Sequence, residues 1–295
     1  MTSARRTFLP DLTGRTVIVT GATSGVGRAT ADALVGAGAR VVLAVRNQAK
    51  GDAVATELRA GRTGAAVEVR VLDLADLSSV RAFAAAWTEP VDVLLNNAGV
   101  MATTRAQTAD GFELQLGTNH LGHFLLTTLL LPQVTDRVVT VSSDAHRFGH
   151  LDLTDPQWER RRYRAFGAYG QSKLANLLFT LELDRRLRSS GRRALAVHPG
   201  WVRSDLGLGQ HGSVAARLSQ GLGSVFGQTA EDGARSSLTA VVGDLPGGSY
   251  VGPDGLGANR GVPTLLGRSR AAADAALATR LWSLSEQLTG QRTED

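Results

Sequence analysis

The chain has 295 residues, of which 43% are hydrophobic, and a formal net charge of +5, which suits one large α/β domain with a buried core. It has no cysteine, so disulfides, thiolate metal sites and cysteine nucleophiles are excluded. The small basic excess comes from arginines scattered along the sequence, without aromatic stacking platforms or a recognised nucleic-acid motif, so we expect no nucleic-acid partner.

The start of the sequence and its longest apolar run argue against export and membrane insertion. Charged residues near the start are not followed by an apolar segment, so a secretory signal is not expected. The run 124–131 is much shorter than the ~20 residues that span a bilayer, and it is predicted to be a buried helix. We therefore expect a cytoplasmic protein that does not enter a membrane.

Six short β-branched or apolar runs alternate with helix-like stretches. They lie at 16–20, 41–45, 67–72, 91–95, 137–141 and 194–197. Strands that alternate with helices form right-handed βαβ units and a parallel sheet covered on both faces. The sequence therefore predicts a single-domain, Rossmann-type, doubly wound α/β fold over 1–295, with the glycine-rich stretch 204–228 as a flap near the substrate.

The first predicted strand runs into a glycine-rich turn and then a helix, which is typical of a dinucleotide site. Glycines permit a tight turn and a close backbone approach, while the free N–H groups of the helix start attract a pyrophosphate. The glycines are separated by three residues and then one, which differs from the usual Gly-x-Gly-x-x-Gly. The candidate cofactor contacts here are Gly21, Thr23, Ser24, Gly25, Val26 and Gly27.

The end of the second predicted strand indicates which dinucleotide is preferred. An NAD site needs an acidic residue about 20 positions after the glycine turn, to bind the ribose hydroxyls. The range 33–51 contains no acidic residue; Val45 stands at the expected position and Arg46 follows it. Because arginine suits a ribose phosphate, we predict NADP(H) as the cofactor, bound by Arg46. The alternative is that Arg46 only ends a strand in solvent.

Tyr169 and Lys173, one of only two lysines, are four residues apart in a helix-like stretch. This spacing places both side chains on one helix face. An ammonium ~4 Å from a phenol would lower the phenol pKa by about 3 units at an effective dielectric near 20, so Tyr169 is a candidate acid or base near neutral pH. The alternative is an ordinary solvated helix face.

Together these motifs resemble the short-chain dehydrogenase/reductase family over about 14–204. The matching residues, in family order, are the turn at 20–27, Asp73-Leu74, Asn96-Asn97-Ala98-Gly99, Asn119, Ser142-Ser143, Tyr169 with Lys173, and Pro199-Gly200. The resemblance implies that Asp73, Leu74, Asn97, Ala98, Gly99, Pro199, Gly200, Val202 and Ser204 contact the cofactor. Serine at 204 departs from the family's more frequent threonine but keeps the hydroxyl.

The same resemblance implies a catalytic set of Asn119, Ser143, Tyr169 and Lys173. Tyr169 would exchange a proton with the substrate oxygen, Ser143 would orient that oxygen, and Lys173 would hold the nicotinamide ribose and lower the Tyr169 pKa. Asn119 would bind a water that connects Lys173 to solvent. Ser142 is expected to be structural.

The 26-residue interval from Ser143 to Tyr169 is about twice that of the family's commonest members, which indicates an insertion near 146–165. With the segments 119–124 and 168–176, it resembles the retinol-dehydrogenase-like branch. That branch implies hydride transfer between NADP(H) and a mostly apolar ketone, aldehyde or alcohol. Membrane-bound members have an anchoring segment that we do not find in this sequence, which argues against a retinoid dissolved in lipid. The protein is expected to be a monomer or a homodimer.

Two alternatives remain at this stage. The pairs His120/His123 and His146/His150 permit metal ligation, but no third ligand accompanies them in sequence, so no metal is expected. A protein that keeps the fold but only senses a dinucleotide or acts as a scaffold would be expected to lack Tyr169, Lys173 or Ser143, and all three are present.

Overall fold

The structure, a computed structural model, describes residues 9–202 and 227–293. Its sheet contains the strands β1 (Thr16–Thr20), β2 (Arg40–Val45), β3 (Val67–Val71), β4 (Val91–Asn96), β5 (Val134–Val141), β6 (Arg193–Val197), β7 (Tyr250–Pro253) and β8 (Pro263–Leu265). The helices are α1 (Gly25–Gly36), α2 (Gln48–Arg59), α3 (Leu77–Ala85), α4 (Leu114–Leu116), α5 (Gly122–Leu130), α6 (Ala165–Leu187), α7 (Ala230–Val242) and α8 (Ala275–Thr289). A π-helical segment, Gly117–Leu121, joins α4 to α5.

All eight strands belong to one sheet in the order β3-β2-β1-β4-β5-β6-β7-β8. Every neighbouring pair is parallel except β7 and β8, which are antiparallel. The strand order reverses beside β1, so the carboxyl ends of β1 and β4 border the crevice in which such sheets bind ligands. The predicted α/β fold with a doubly wound parallel sheet is confirmed.

Alternate residues of the strands enter two separate apolar layers. In β1, Val17 and Val19 pack into one layer while Ile18 packs into the other, as the two-residue period of a strand requires. Side chains of α1, α2 and α7 cover the first face, and those of α3, α5 and α6 cover the second. The central strands are therefore buried on both faces, which explains their near-continuous β-branched runs.

The last helix, α8, packs against α6 through an aromatic cluster. Trp282 is buried; its ring stacks on Phe179 of α6 at 5.7 Å between centroids and meets Phe124 of α5 edge-on at 4.9 Å. These contacts fix the far part of the long helix α6. Within the described residues, none of the helices has both the length and the apolarity to cross a bilayer.

Candidate active site

The glycine turn lies between β1 and α1. Gly21 has a φ of +67°, and a side chain there would lie 2.9 Å from the Cα atom of Ala98, so glycine is required by both conformation and space. Ser24, which precedes α1, makes no capping hydrogen bond with its side chain. The first N–H groups of α1 therefore face outward, as a dinucleotide pyrophosphate requires. Thr23, Gly25 and Val26 are partly exposed and Gly27 is buried against the turn.

Thr20 connects this turn to the end of β4. Its hydroxyl accepts hydrogen bonds from the backbone N–H groups of Asn97 and Ala98, each at 2.9 Å. The Asn97 side-chain amide in turn donates to the Thr20 carbonyl at 2.8 Å. The segment Asn97-Ala98-Gly99 is thereby held across the sheet from the glycine turn, where the family resemblance places it.

The ends of β2 and β3 carry the residues predicted to bind the adenosine part of a cofactor. Arg46 directly follows β2, is exposed, and forms no ion pair with any described residue. Asp73 follows β3, and its carboxylate accepts a hydrogen bond from the Ala75 N–H at 2.9 Å. Leu74 is buried. All three residues lie at the carboxyl edge of the sheet, on the same side as the glycine turn.

The segment after β6 completes this edge. Gly200 has a φ of +76°, and the Trp201 N–H donates to the Asn259 carbonyl at 2.9 Å. The Gln228 side chain donates to the Pro199 carbonyl, and Val202 pairs with Gln228 in a short parallel bridge. Ser204 and nearly all of the predicted flap 204–228 lie outside the described residues.

Ser143, Tyr169 and Lys173 converge beside this edge. Ser143 follows β5, and its side chain hydrogen-bonds with that of Tyr169. The Lys173 Nζ atom lies 5.5 Å from the centroid of the Tyr169 ring and donates to the Val141 carbonyl at 3.2 Å. Ser142 donates to the Lys173 backbone carbonyl at 2.8 Å. The structure therefore brings together the three side chains, while Ser142 is tied to the α6 backbone.

The electrostatics of this group differ from the sequence-based expectation. Burial raises the pKa of Tyr169 to about 12, and the hydrogen bond with Ser143 opposes this rise. Burial lowers the pKa of Lys173 to about 8. The expected fall of the Tyr169 pKa is not found, because desolvation disfavours the charged form of both groups. At neutral pH the phenol is protonated, which is the form of a proton donor.

Asn119 lies in the π-helical segment and connects the residues that follow β4 with helix α6. Its amide donates to the Val100 carbonyl and to the Ser172 hydroxyl, both at 3.0 Å, and its side-chain oxygen accepts from the Val100 N–H at 2.8 Å. A side chain at Gly99 would lie 3.4 Å from both the Asn119 oxygen and the Lys173 Nζ atom. Asn119 therefore borders Lys173, and the water-binding role implied by the resemblance stays a prediction.

His123 links Asn119 to the glycine turn. Its Nδ1 atom is 3.1 Å from the Asn119 carbonyl and its Nε2 atom is 2.9 Å from the Thr20 hydroxyl. A carbonyl can only accept, so Nδ1 carries the proton and Nε2 accepts from Thr20. Burial lowers the pKa of His123 to about 4, so the ring is neutral in this tautomer at physiological pH.

The other histidines of the proposed pairs have different neighbours. His120 is buried and bonds the Ser285 hydroxyl of α8 at 2.9 Å, and His146 donates to the Ser143 carbonyl at 2.8 Å. Within 9–202 and 227–293, no three His, Cys, Asp or Glu side chains are grouped so that they could hold a metal ion.

The segment predicted to contain an insertion begins with a short 3₁₀ helix, Asp144–Phe148, and continues as a loop that packs on α6. Arg161 lies over the Trp158 ring at 3.8 Å and donates to the side chain of the buried Gln171, while Gln171 donates to the Pro156 carbonyl at 2.8 Å. Arg161 is therefore held against the loop and α6, whereas Arg160 and Arg162 beside it are exposed. Gln171 lies two positions after Tyr169 and two before Lys173, so this loop supports the helix turn that carries both.

Sequence reasoning missed Thr20, His123 and Gln171 as parts of the site. Thr20 ends a predicted strand directly before the glycine turn, which was a usable signal. The Gln171 contact with Arg161 spans 10 residues and the His123 contact with Thr20 spans 103, so the sequence gave no signal for either. The Asn119 partner of His123 is four residues away, which is ordinary helical spacing.

The chain is similar to proteins of one known family. The model of a family described as short chain dehydrogenase matches residues 15–210. Retinol dehydrogenase 13 of Homo sapiens is 43% identical over 290 residues, which cover 94% of this chain and 85% of that protein. Retinol dehydrogenase 11 of Homo sapiens is 47% identical over 235 residues, or 77% of this chain and 73% of that protein.

Solved structures are similar over most of the chain. The crystal structure of an uncharacterized protein from Mycobacterium paratuberculosis has a TM-score of 0.83 and 50% identity, and covers 97% of both chains. A protein from Escherichia coli CFT073, described as a short chain dehydrogenase and complexed with NADPH, has a TM-score of 0.63 and 25% identity. The match covers 81% of this chain and 97% of that chain.

Proposed function

We propose a specific reaction from one premise: this chain belongs to the short-chain dehydrogenase/reductase family, in its retinol-dehydrogenase-like branch. Membership makes the protein an oxidoreductase that interconverts an alcohol and a carbonyl compound. The proposal is narrower: it transfers hydride between NADP(H) and a mostly apolar ketone, aldehyde or alcohol, with Tyr169 as proton donor or acceptor.

The observation that carries the proposal is the convergence of Ser143, Tyr169 and Lys173 beside the glycine turn. When bound, the nicotinamide supplies or accepts the hydride. Ser143 would donate a hydrogen bond to the substrate oxygen and hold it near the Tyr169 hydroxyl. Tyr169, protonated at neutral pH because burial raises its pKa, would give its proton to that oxygen during reduction.

The residues of the turn fit a dinucleotide. A side chain at Gly21 would collide with Ala98, so only backbone atoms lie beside the start of α1 at this position. The buried ammonium of Lys173 offers a donor next to Gly99 for a ribose hydroxyl. These features support cofactor binding by the edge formed by β1, β4 and α6.

The NADP(H) preference rests on Arg46. Its exposed guanidinium forms no ion pair with any residue in the described ranges, so it is free to bind the ribose phosphate with charge-assisted hydrogen bonds. Such bonds contribute ~1.5–3 kcal/mol. Arg46→Asp should therefore lower the NADPH-to-NADH ratio of kcat/KM by a factor of about 10 to 150.

The matched control is Arg188→Asp, which changes an exposed arginine beyond the far end of α6 and should leave the ratio unaltered. An unchanged ratio in Arg46→Asp would remove the basis for NADP(H) preference while leaving the family reaction intact. The NADPH complex of the Escherichia coli protein is a fact about that protein, and it supports the choice of NADPH as the first cofactor to assay.

The remaining features of the proposal are a small-molecule substrate, a cytoplasmic location and a monomeric or homodimeric state. Cell fractionation and size-exclusion chromatography with light scattering test the last two. The competing proposal of a non-catalytic dinucleotide sensor predicts NADPH binding without turnover of any ketone, aldehyde or quinone. A screen that pairs NADPH binding with NADPH oxidation separates the two.

A further inference from the structure

Two large aromatic side chains stand exposed beside Tyr169. Phe148 is 69% exposed and Phe166 is 48% exposed, and their ring centroids are 5.7 Å apart. Neither residue belongs to the apolar layers of the core. Paired exposed rings form an apolar surface that the fold does not need for its stability, which is a frequent property of binding sites.

The pair continues the surface that carries the catalytic side chains. Phe166, Tyr169 and Lys173 occupy positions i, i+3 and i+7 of α6, so they lie along one helix face. Phe148 ends the 3₁₀ helix that begins directly after Ser143. The same two elements therefore meet twice, through Ser143 with Tyr169 and through Phe148 with Phe166.

Close backbone packing holds these two elements together. A side chain at Gly170 would lie 2.7 Å from the Ala145 carbonyl oxygen and 2.9 Å from the Gly149 nitrogen. Arg147, the residue before Phe148, bonds the Asp144 carboxylate at 2.6 Å and the Gly267 carbonyl at 3.0 Å. The rings are thus a fixed apolar wall at a set distance from Tyr169.

We propose that Phe148 and Phe166 bind the hydrocarbon part of the substrate whose oxygen lies at Ser143 and Tyr169. This inference rests on the proposed function and narrows its substrate class. Phe166 lies ~4.5 Å along the helix axis from Tyr169, so a linear substrate reaches the rings only several carbon atoms beyond its carbonyl. The wall therefore favours long-chain or multi-ring carbonyl compounds over small ones.

The test compares decanal with propanal as substrates for NADPH oxidation. The double variant Phe148→Ser/Phe166→Ser should lose about tenfold or more in kcat/KM for decanal and less than threefold for propanal, because only decanal loses apolar contact. Phe148→Leu/Phe166→Leu keeps apolar surface and should retain most of the decanal activity. The control is Leu265→Ser, which changes an exposed apolar residue on the edge strand β8. It should leave kcat/KM unchanged for both substrates.

A second measurement separates failure of this inference from failure of the proposed function. Calorimetric titration of the NADPH-saturated protein with 1-decanol should give weaker binding in the serine variant by about tenfold, whether or not the protein turns over. Equal losses for propanal and decanal with unchanged decanol affinity would mean that the rings only order the start of α6. If the serine variant had unchanged kinetics and unchanged decanol affinity, the proposal that the two rings bind the substrate would be refuted. Absence of NADPH oxidation by the unmodified protein, together with decanol binding that depends on the two rings, would refute the proposed reaction and leave the binding role of the rings intact.

Discussion

Replacing His123 tests the connection between the cofactor turn and the catalytic helix. The neutral imidazole donates to the Asn119 carbonyl and accepts from the Thr20 hydroxyl, at 3.1 and 2.9 Å. His123→Phe keeps a ring of similar size and removes both bonds. The Thr20 hydroxyl still accepts from the Asn97 and Ala98 N–H groups, but its own proton then has only the longer contact with the Leu95 carbonyl, at 3.4 Å.

The size of the effect follows from these two bonds and their burial. Each buried hydrogen bond contributes about 1 kcal/mol net, and a buried group left without its partner costs ~1–3 kcal/mol. With His123 1% exposed and a partial substitute available to Thr20, His123→Phe should lower the free energy of unfolding by about 2–4 kcal/mol. Urea denaturation followed by circular dichroism measures this loss.

Two polar variants then separate the two ends of the connection. In His123→Asn the amide occupies the place of Nδ1 and keeps the Asn119 bond, whereas in His123→Gln it occupies the place of Nε2 and keeps the Thr20 bond. We expect the asparagine variant to raise KM for NADPH with kcat within about threefold, and the glutamine variant to lose about tenfold in kcat. Equal kcat and KM in both variants, or a loss of stability below about 1 kcal/mol in His123→Phe, would refute the connection.

Three further predictions concern the catalytic pair and acid stability. Tyr169→Phe should lower kcat by a factor of ~10²–10⁴ with the NADPH Kd nearly unchanged, measured by stopped-flow oxidation and fluorescence titration; retained turnover would exclude Tyr169 as proton donor. Lys173→Arg should weaken both NADPH affinity and kcat, because Lys173 is 3% exposed and its surroundings leave no space for a larger side chain. In the unaltered protein, NADPH affinity should fall as the pH rises through about 8, because Lys173 then loses its proton. Burial lowers the folded-state pKa of His123 to about 4, below its value of ~6.5 in the unfolded chain. As the pH falls, the unfolded chain therefore binds the proton first. The free energy of unfolding should decrease by up to about 3 kcal/mol between pH ~6.5 and pH ~4. His123→Phe should have a shallower pH dependence of unfolding over that window, and an equal slope would contradict the buried neutral ring.

The central strands could be predicted because a strand buried on both faces is apolar at successive positions. β1, with its alternate residues packed into two layers, is an unbroken β-branched run. After their first arginine, β2 and β6 are continuous apolar runs. The last two strands, β7 and β8, were not predicted. They have four and three residues, with Gly252, Pro253 and Pro263 among them, and their strand character comes from pairing with each other and with β6.

The site was predictable where its residues follow strand ends. The glycine turn, Asn97 and Ser143 each stand directly after a buried run, and parallel strands bring such ends to one edge. The pKa of Tyr169 could not be obtained this way. A pair of charges at i,i+4 gives only the Coulomb interaction with Lys173, whereas the desolvation that dominates depends on how β5 and α6 pack together.

The loop between the 3₁₀ helix and α6 is attached to the helix that carries Tyr169 and Lys173. Arg161 stands in a run of arginines, and nothing in that run separates it from its solvated neighbours. In the structure it closes on Trp158 and Gln171, so the loop is attached to the helix turn between Tyr169 and Lys173. The opposite part of α6 is held by Trp282 of α8. Because α6 is fixed on both sides, the distance from Lys173 to Tyr169 is set by the helix itself and does not depend on the surface that Phe148 and Phe166 form before it.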